Sequence, residues 1–297
     1  MEMITPPHLK AGDSIYILST ARKISIEELQ PAIQELESWG LKVILGDTIG
    51  AEDHQFAGND ELRTADFNKA IHNQEVKAIL CGRGGYGSVR IVDGIDWEYL
   101  QKTPKWIAGY SDVTTIHCHA HNKGLKSIHS TMPINHTNNS KESWSTLKAA
   151  LFGEELNIAN YPHKVYRSGE LKGEVIGGNL SILYSLLGSK SSIDTKGKIL
   201  FIEDLDEYLY HIDRMMMNLK RTGKLHGLSA LVVGGMSDMN DNPIPFGKNA
   251  LQIIAEHTKD YNYPIYFGLQ AGHTKPNLAL RLGMNAHISD NKLFLPA

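Results

Sequence analysis

In the first half of the chain, short apolar runs alternate with helical patterns, and that alternation leaves few folds open. Ser14–Ser19 (SIYILS), Leu41–Leu45, Val76–Cys81, Trp106–Gly109 and Ser127–His129 read as strands. Between them, 25–39 carries Ile26, Leu29, Ile33 and Leu36 at helical spacing. Stretches 60–73 and 112–123 are helical as well. Strands alternating with helices about every 30 residues point to βαβ units and a parallel, doubly wound sheet of the Rossmann or flavodoxin type. The strands are continuous apolar runs, as parallel strands buried on both faces must be.

The pattern fades from about Asn135 to Arg167, where NHTNNSKES is polar and turn-rich around a short helix near 143–152. Strands are expected again at 172–176, 198–202, 229–234, 264–267 and 286–295, with helices near 179–187, 208–222 and 247–258. This predicts α/β organisation in two parts: an N-terminal α/β domain over 1–150, a linker over 151–170, and a smaller, mixed α/β, partly barrel-like domain over 171–297. A length of 297 residues fits two domains at about 100–200 residues each.

Composition removes several function classes. Thirty Lys plus Arg against 33 Asp plus Glu give a formal charge of −3, which lacks the basic surface nucleic acid requires. The two cysteines build no disulfide framework. The first residues, MEMITPPHLKAGDSIYILS, lack a basic region followed by an apolar one, and no apolar run approaches the ~20 residues of a membrane helix. A cytoplasmic location is expected, with no nucleic-acid or membrane partner. The 14 histidines raise the question of a metal. His117 and His121 stand i, i+4 on one helix with His119 between, but H-E-x-x-H is absent, so a structural role is expected for all three. His129 is expected to satisfy a backbone carbonyl.

Two glycine-rich turns follow predicted strands. Gly82-Arg83-Gly84-Gly85-Tyr86-Gly87 fits G-x-G-x-x-G, but in the third βα unit and with no acidic residue about 20 positions on to hold a ribose. What remains is a backbone that offers N–H donors to an oxyanion or phosphate. In Gly109-Tyr110-Ser111-Asp112-Val113 a strand ends and a helix begins, which is the logic of a nucleophile elbow, although Val113 replaces the last glycine. Ser111 could equally be an N-cap. A nucleophilic serine needs a base, and the base an orienter. His273, in a Gly- and Pro-rich turn, is a candidate base; Glu203, at the carboxyl end of a strand, is a candidate orienter.

Taken together, LKAGDSIYI from Leu9, Phe56-Ala57-Gly58 with Arg63, RGGYG, GYSD, Gly177-Gly178-Asn179-Leu180, Leu200–Asp204 with Ile212-Asp213-Arg214, and Gly272-His273 with Asn277 resemble the LD-carboxypeptidases, serine peptidases of the S66 type. They occur in family order over nearly the whole chain. The resemblance implies an N-terminal α/β sandwich carrying Ser111 and a largely β, barrel-like C-terminal domain carrying Glu203 and His273, a triad of these three, and an oxyanion hole from the backbone N–H of Gly85 and Asp112. It implies no metal or cofactor, a homodimer, and release of terminal D-alanine from murein tetrapeptides during cell-wall recycling. A family subgroup, the microcin-immunity proteins, cleaves peptide–nucleotide conjugates instead. A rival of another class is a non-catalytic protein that binds a nucleotide or sugar at the glycine loop. An exopeptidase must also recognise a carboxylate, for which Arg83 is a candidate. Thr274 and Arg281 depart from the family pattern and are expected to alter the pocket wall beside His273.

Overall fold

The computed structural model describes residues 3–159, 167–289 and 292–297. Part of the linker and of the closing strands, at 160–166 and 290–291, therefore lies outside the described residues. The first half runs β1 (Ser14–Leu18), α1 (Ile26–Ser38), β2 (Lys42–Leu45), α2 (Asp60–His72), β3 (Val76–Cys81), α3 (Ser88–Ile91), α4 (Trp97–Lys102), β4 (Trp106–Gly109), α5 (Thr114–Asn122) and β5 (Ser127–His129). The second half runs α6 (Lys141–Phe152), β6 (Leu156–Ala159), β7 (Lys172–Asn179), α7 (Leu180–Ser185), β8 (Ile199–Leu205), α8 (Leu209–Arg221), β9 (Ala230–Ser237), α9 (Ala250–Thr258), β10 (Ile265–Phe267), β11 (Leu280–Leu282), β12 (Asn285–Ser289) and β13 (Lys292–Leu295).

Local chemistry explains where helices begin. Ser25 accepts a hydrogen bond from the Glu28 amide while the Glu28 carboxylate accepts from the Ser25 amide, a capping box that starts α1. Leu29, Ala32, Ile33 and Leu36 then bury one stripe of that helix. Asn179 starts α7 in the same manner by accepting from the Ile182 amide.

The first sheet has the order β2-β1-β3-β4-β5-β11, parallel except for β11, which pairs antiparallel with β5. Strand order reverses between β1 and β3, and ligands of such sheets bind at the carboxyl ends beside that switch. The glycine loop leaves β3 there, and Ser111 follows the neighbouring β4. The second sheet has the order β10-β9-β8-β7-β12-β13-β6. Its β7 to β10 are parallel and separated by α7, α8 and α9, so this half also contains βαβ units. The sheet is open, with β10 and β6 at its edges, and no closed barrel occurs among the described residues.

One continuous core lies between the sheets. Ile15, Ile17, Trp106 and Ile128 of the first join Phe201, Val232 and Tyr266 of the second. The opposite faces bury separate clusters, Tyr16, Leu18, Ile79 and Ile107 on one side and Leu200, Ile202, Leu231 and Val233 on the other. Alternate residues of a single apolar run thus serve two cores, which is the period of two expected for a strand. No helix among the described residues is long and apolar enough to cross a membrane.

Candidate active site

Ser111 opens a one-turn 3-10 helix, Ser111–Val113, directly after β4. Its φ of 62° is left-handed, a conformation a non-glycine residue adopts only when its surroundings impose it. The surroundings are visible. The preceding Gly109 has its carbonyl held by His117 Nε2 at 2.9 Å, and His117 Nδ1 bonds Ser127 Oγ at 2.9 Å. On the far side of the turn, Thr114 Oγ1 accepts from the Asn179 amide at 3.0 Å, tying the serine turn to the second sheet. Asp112 is the second residue of the 3-10 turn, where amides have no intrahelical partner.

The glycine loop closes on the serine. A Cβ placed on Gly84 would sit 3.2 Å from Ser111 Cβ and 3.4 Å from its Oγ, so the loop backbone reaches contact distance because it carries no side chain. Asp112 Oδ2 accepts from the Ser88 amide at 2.8 Å and fixes the loop's far end. Burial pushes the Asp112 carboxyl upward, and the Ser88 and Gly87 amides pull it back. Arg83, the candidate carboxylate partner, rests on the 23–28 segment: its Nη1 donates to the Lys23 carbonyl at 3.3 Å, with Glu28 at 3.9 Å.

His273 and Glu203, 70 residues apart, are brought together. Glu203 Oε2 accepts from His273 Nδ1 at 2.7 Å and from the His273 backbone amide at 2.9 Å. Gly272 makes that approach possible, since a Cβ there would lie 2.4 Å from Glu203 Cγ. Asn277 Oδ1 accepts from the Gly272 amide at 2.8 Å, and Ser237 Oγ donates to the His273 carbonyl. The His273 ring lies against Tyr110, with centroids 4.7 Å apart, and so stands beside the residue that precedes Ser111. Among the described residues no hydrogen bond joins Ser111 Oγ to His273 Nε2 directly. Tyr110 and Asn277 stand in the sequence only as motif residues, and nothing in the sequence marks Ser237.

Electrostatics suit a base held by a carboxylate. Burial lowers the His273 pKa, but the charge and hydrogen bond of Glu203 outweigh it and hold it above the ordinary value. Burial would raise Glu203, and His273 instead holds it below the usual carboxylate range. The neighbouring Asp204 is pushed up to about 7 by burial and by the Glu203 charge. It accepts from Asn179 Nδ2 and from the Ser181 and Leu205 amides, each at 2.9 Å, and so braces the end of β8.

The histidine cluster divides among separate partners. His117 holds the serine turn, His119 bonds Ser191 Oγ at 2.9 Å and stacks on Trp97, and His121 bonds Glu174 at 2.6 Å. Among the described residues no three His, Cys, Asp or Glu are placed to share an ion. His129 departs from expectation. It makes no hydrogen bond to a backbone carbonyl among the described residues, and is wedged between the Tyr110 and Phe201 rings. Burial drives its pKa down to about 3. Arg281 is a second correction. It lies outside the His273 wall, with its guanidinium donating to the carbonyls of Ala149, Ala150, Glu154 and Pro296 near the end of α6. Thr274 does stand beside the base, where its Cβ would come 3.1 Å from a Cβ on Gly235.

Two sheets with parallel cores, a serine on a strained turn and a half-buried histidine held by a buried glutamate suit a serine-type peptidase, and family comparison agrees. The LD-carboxypeptidase N-terminal domain matches residues 15–130 and the LD-carboxypeptidase C-terminal domain matches 172–288; the chain belongs to this family. Among curated relatives, a probable murein peptide carboxypeptidase of Bacillus subtilis is 34% identical, over 95% of this chain and 90% of its own. The crystal structure of a muramoyltetrapeptide carboxypeptidase from Oxalobacter formigenes is 27% identical with a TM-score of 0.86, covering 95% of this chain and 97% of that one. The microcin C7 self-immunity protein MccF of Escherichia coli is 25% identical over 96% of this chain and 93% of its own. A wild-type apo structure of MccF has a TM-score of 0.87 over 99% and 98% of the two chains at 23% identity, which shows a shared fold.

Proposed function

We propose that the chain is a carboxypeptidase that hydrolyses the L,D-peptide bond of murein tetrapeptides and releases terminal D-alanine. The observation that carries this reading is the His273 imidazole, fixed from behind by Glu203 at 2.7 Å and lying against the turn that bears Ser111. Ser111 Oγ attacks the carbonyl of the L-configured diamino acid while His273 Nε2 takes the hydroxyl proton. The carbonyl oxygen becomes an oxyanion and is met by the backbone N–H groups of Gly85 and Asp112; one such donor is worth about 10²–10³ in rate. Glu203 fixes the tautomer with the proton on Nδ1 and stabilises the imidazolium. His273 then protonates the leaving nitrogen, the C–N bond breaks and D-alanine departs. Water, deprotonated by His273, attacks the acyl ester; the C–O bond breaks and Ser111 recovers its proton. The resemblance adds that the enzyme works as a homodimer in the cytoplasm.

Ser111→Ala is expected to fold normally and to lose at least about 10³-fold of turnover on a murein tetrapeptide. Near-wild-type turnover by that variant would sink the serine mechanism. The likeness to MccF supports a second reading, cleavage of peptide–nucleotide conjugates. Mass spectrometry of products from a muropeptide panel and an aminoacyl-adenylate analogue separates the two: D-alanine release from the tetrapeptide is expected to dominate.

A further inference from the structure

Four arginines surround the glycine loop, and three are committed elsewhere. Arg63 is buried; its Nη1 donates to the carbonyls of Thr20 at 2.7 Å and Gly87 at 3.1 Å, and its Nη2 pairs with Asp60. Arg90 binds both oxygens of the same Asp60, at 2.8 and 2.6 Å. Arg83 is occupied by the Lys23 carbonyl and Glu28. The fourth, Arg22, is exposed, and among the described residues its guanidinium makes no hydrogen bond or ion pair.

Its position is set by backbone. The Arg22 amide donates to the Gly84 carbonyl at 3.4 Å, and Arg22 bridges Phe56 on its other side. The side chain runs directly over Gly85: a Cβ there would lie 2.6 Å from Arg22 Cδ and 2.9 Å from its Nε. Gly85, at φ +114°, thus leaves room for the arginine stem on the loop whose Gly84 touches Ser111. In a peptide substrate the terminal carboxylate carbon is only three bonds from the scissile carbonyl carbon. A cation that recognises it must therefore stand beside the loop that receives the oxyanion. A guanidinium also offers the planar fork that pairs both oxygens of a carboxylate, which an ammonium does not.

We propose that Arg22 binds the C-terminal carboxylate of the substrate and makes the enzyme an exopeptidase; this rests on the carboxypeptidase reading above. The test compares kcat/KM for a murein tetrapeptide with that for its C-terminal amide, in wild type and in Arg22→Gln, Arg22→Lys, Arg83→Gln and, at the lysine two residues after His273, Lys275→Gln. Wild type is expected to prefer the free acid by about 10–100-fold, the worth of a charge-assisted hydrogen bond. In Arg22→Gln that preference falls toward unity, chiefly through KM, and Arg22→Lys restores part of it. An unchanged preference in Arg22→Gln overturns the proposal, as does collapse in Arg83→Gln or Lys275→Gln with Arg22→Gln intact. A wild type that cleaves neither peptide overturns the carboxypeptidase reading, and this assignment with it, so the two failures are told apart.

Discussion

Ser111 is held at a positive φ by groups that gain nothing locally from the strain: His117 on the Gly109 carbonyl and Thr114 on the Asn179 amide. His273, the candidate base, has a raised pKa because Glu203 outweighs the effect of burial. The base must be neutral to accept a proton, so activity rises with pH as His273 loses its own. The acidic limb of the kcat/KM profile is expected above 6.5, the unperturbed histidine value. Glu203→Gln removes the charge that raises the pKa; the limb is expected to move to lower pH while kcat falls by about 10²–10⁴-fold. A limb that stays in place in Glu203→Gln would mean another group titrates. The residue types of this pair were legible in the sequence from GH and ED motifs at loop and strand ends. The roles of Tyr110 and Ser237 were not, because contacts made across 163 and 36 residues leave no local pattern.

At the scale of elements, each candidate catalytic side chain leaves from or beside the carboxyl end of a parallel strand, and glycine sets how closely the connecting loops approach. Gly272 is the sharpest case, with φ +96° and Glu203 Oε2 only 2.5 Å from where a Cβ would stand. Gly272→Ala is expected to keep its circular dichroism spectrum and lose at least about 10²-fold in kcat/KM, because displacing Glu203 by an ångström misaims the base. Full activity would show that the loop yields. The main strands and helices were readable from period and caps. The short helices α3 and α4 were not, nor were two strands: β6 falls in the stretch read as a connection, and β11 is a three-residue strand that joins the first sheet from late in the chain. Neither is long enough for a periodic signal, and both exist because a sheet edge elsewhere supplies hydrogen-bond partners.

For the whole molecule, burial of neutral imidazoles has a consequence in acid. His117 is lowered to about 4 and His129 to about 3, both mainly by burial. Between pH 6.5 and about 4 the unfolded chain binds protons there that the native state refuses. Stability is therefore lost as pH falls, by about 1.4 kcal/mol per unit for each imidazole. Asp204, raised to about 7, acts oppositely, since the native state then binds a proton the unfolded chain releases. The readout is thus a difference: His129→Phe is expected to show a shallower fall in unfolding free energy from pH 6.5 to 4 than wild type. Equal slopes would mean His129 is protonated in the native state.

The sequence alone determined the α/β class, most elements and the family, because hydrophobic period, caps and glycine-rich turns are local and survive in one dimension. It also marked the candidates Ser111, Glu203 and His273. Tertiary structure decided what each of them meets. It set Arg83 on the 23–28 segment and Arg22 over the loop, sent Arg281 to the end of α6, left the second sheet open, and wedged His129 between aromatic rings. Those outcomes depend on which distant segments pack together, and packing partners are chosen by the shared core between the sheets rather than by neighbours along the chain.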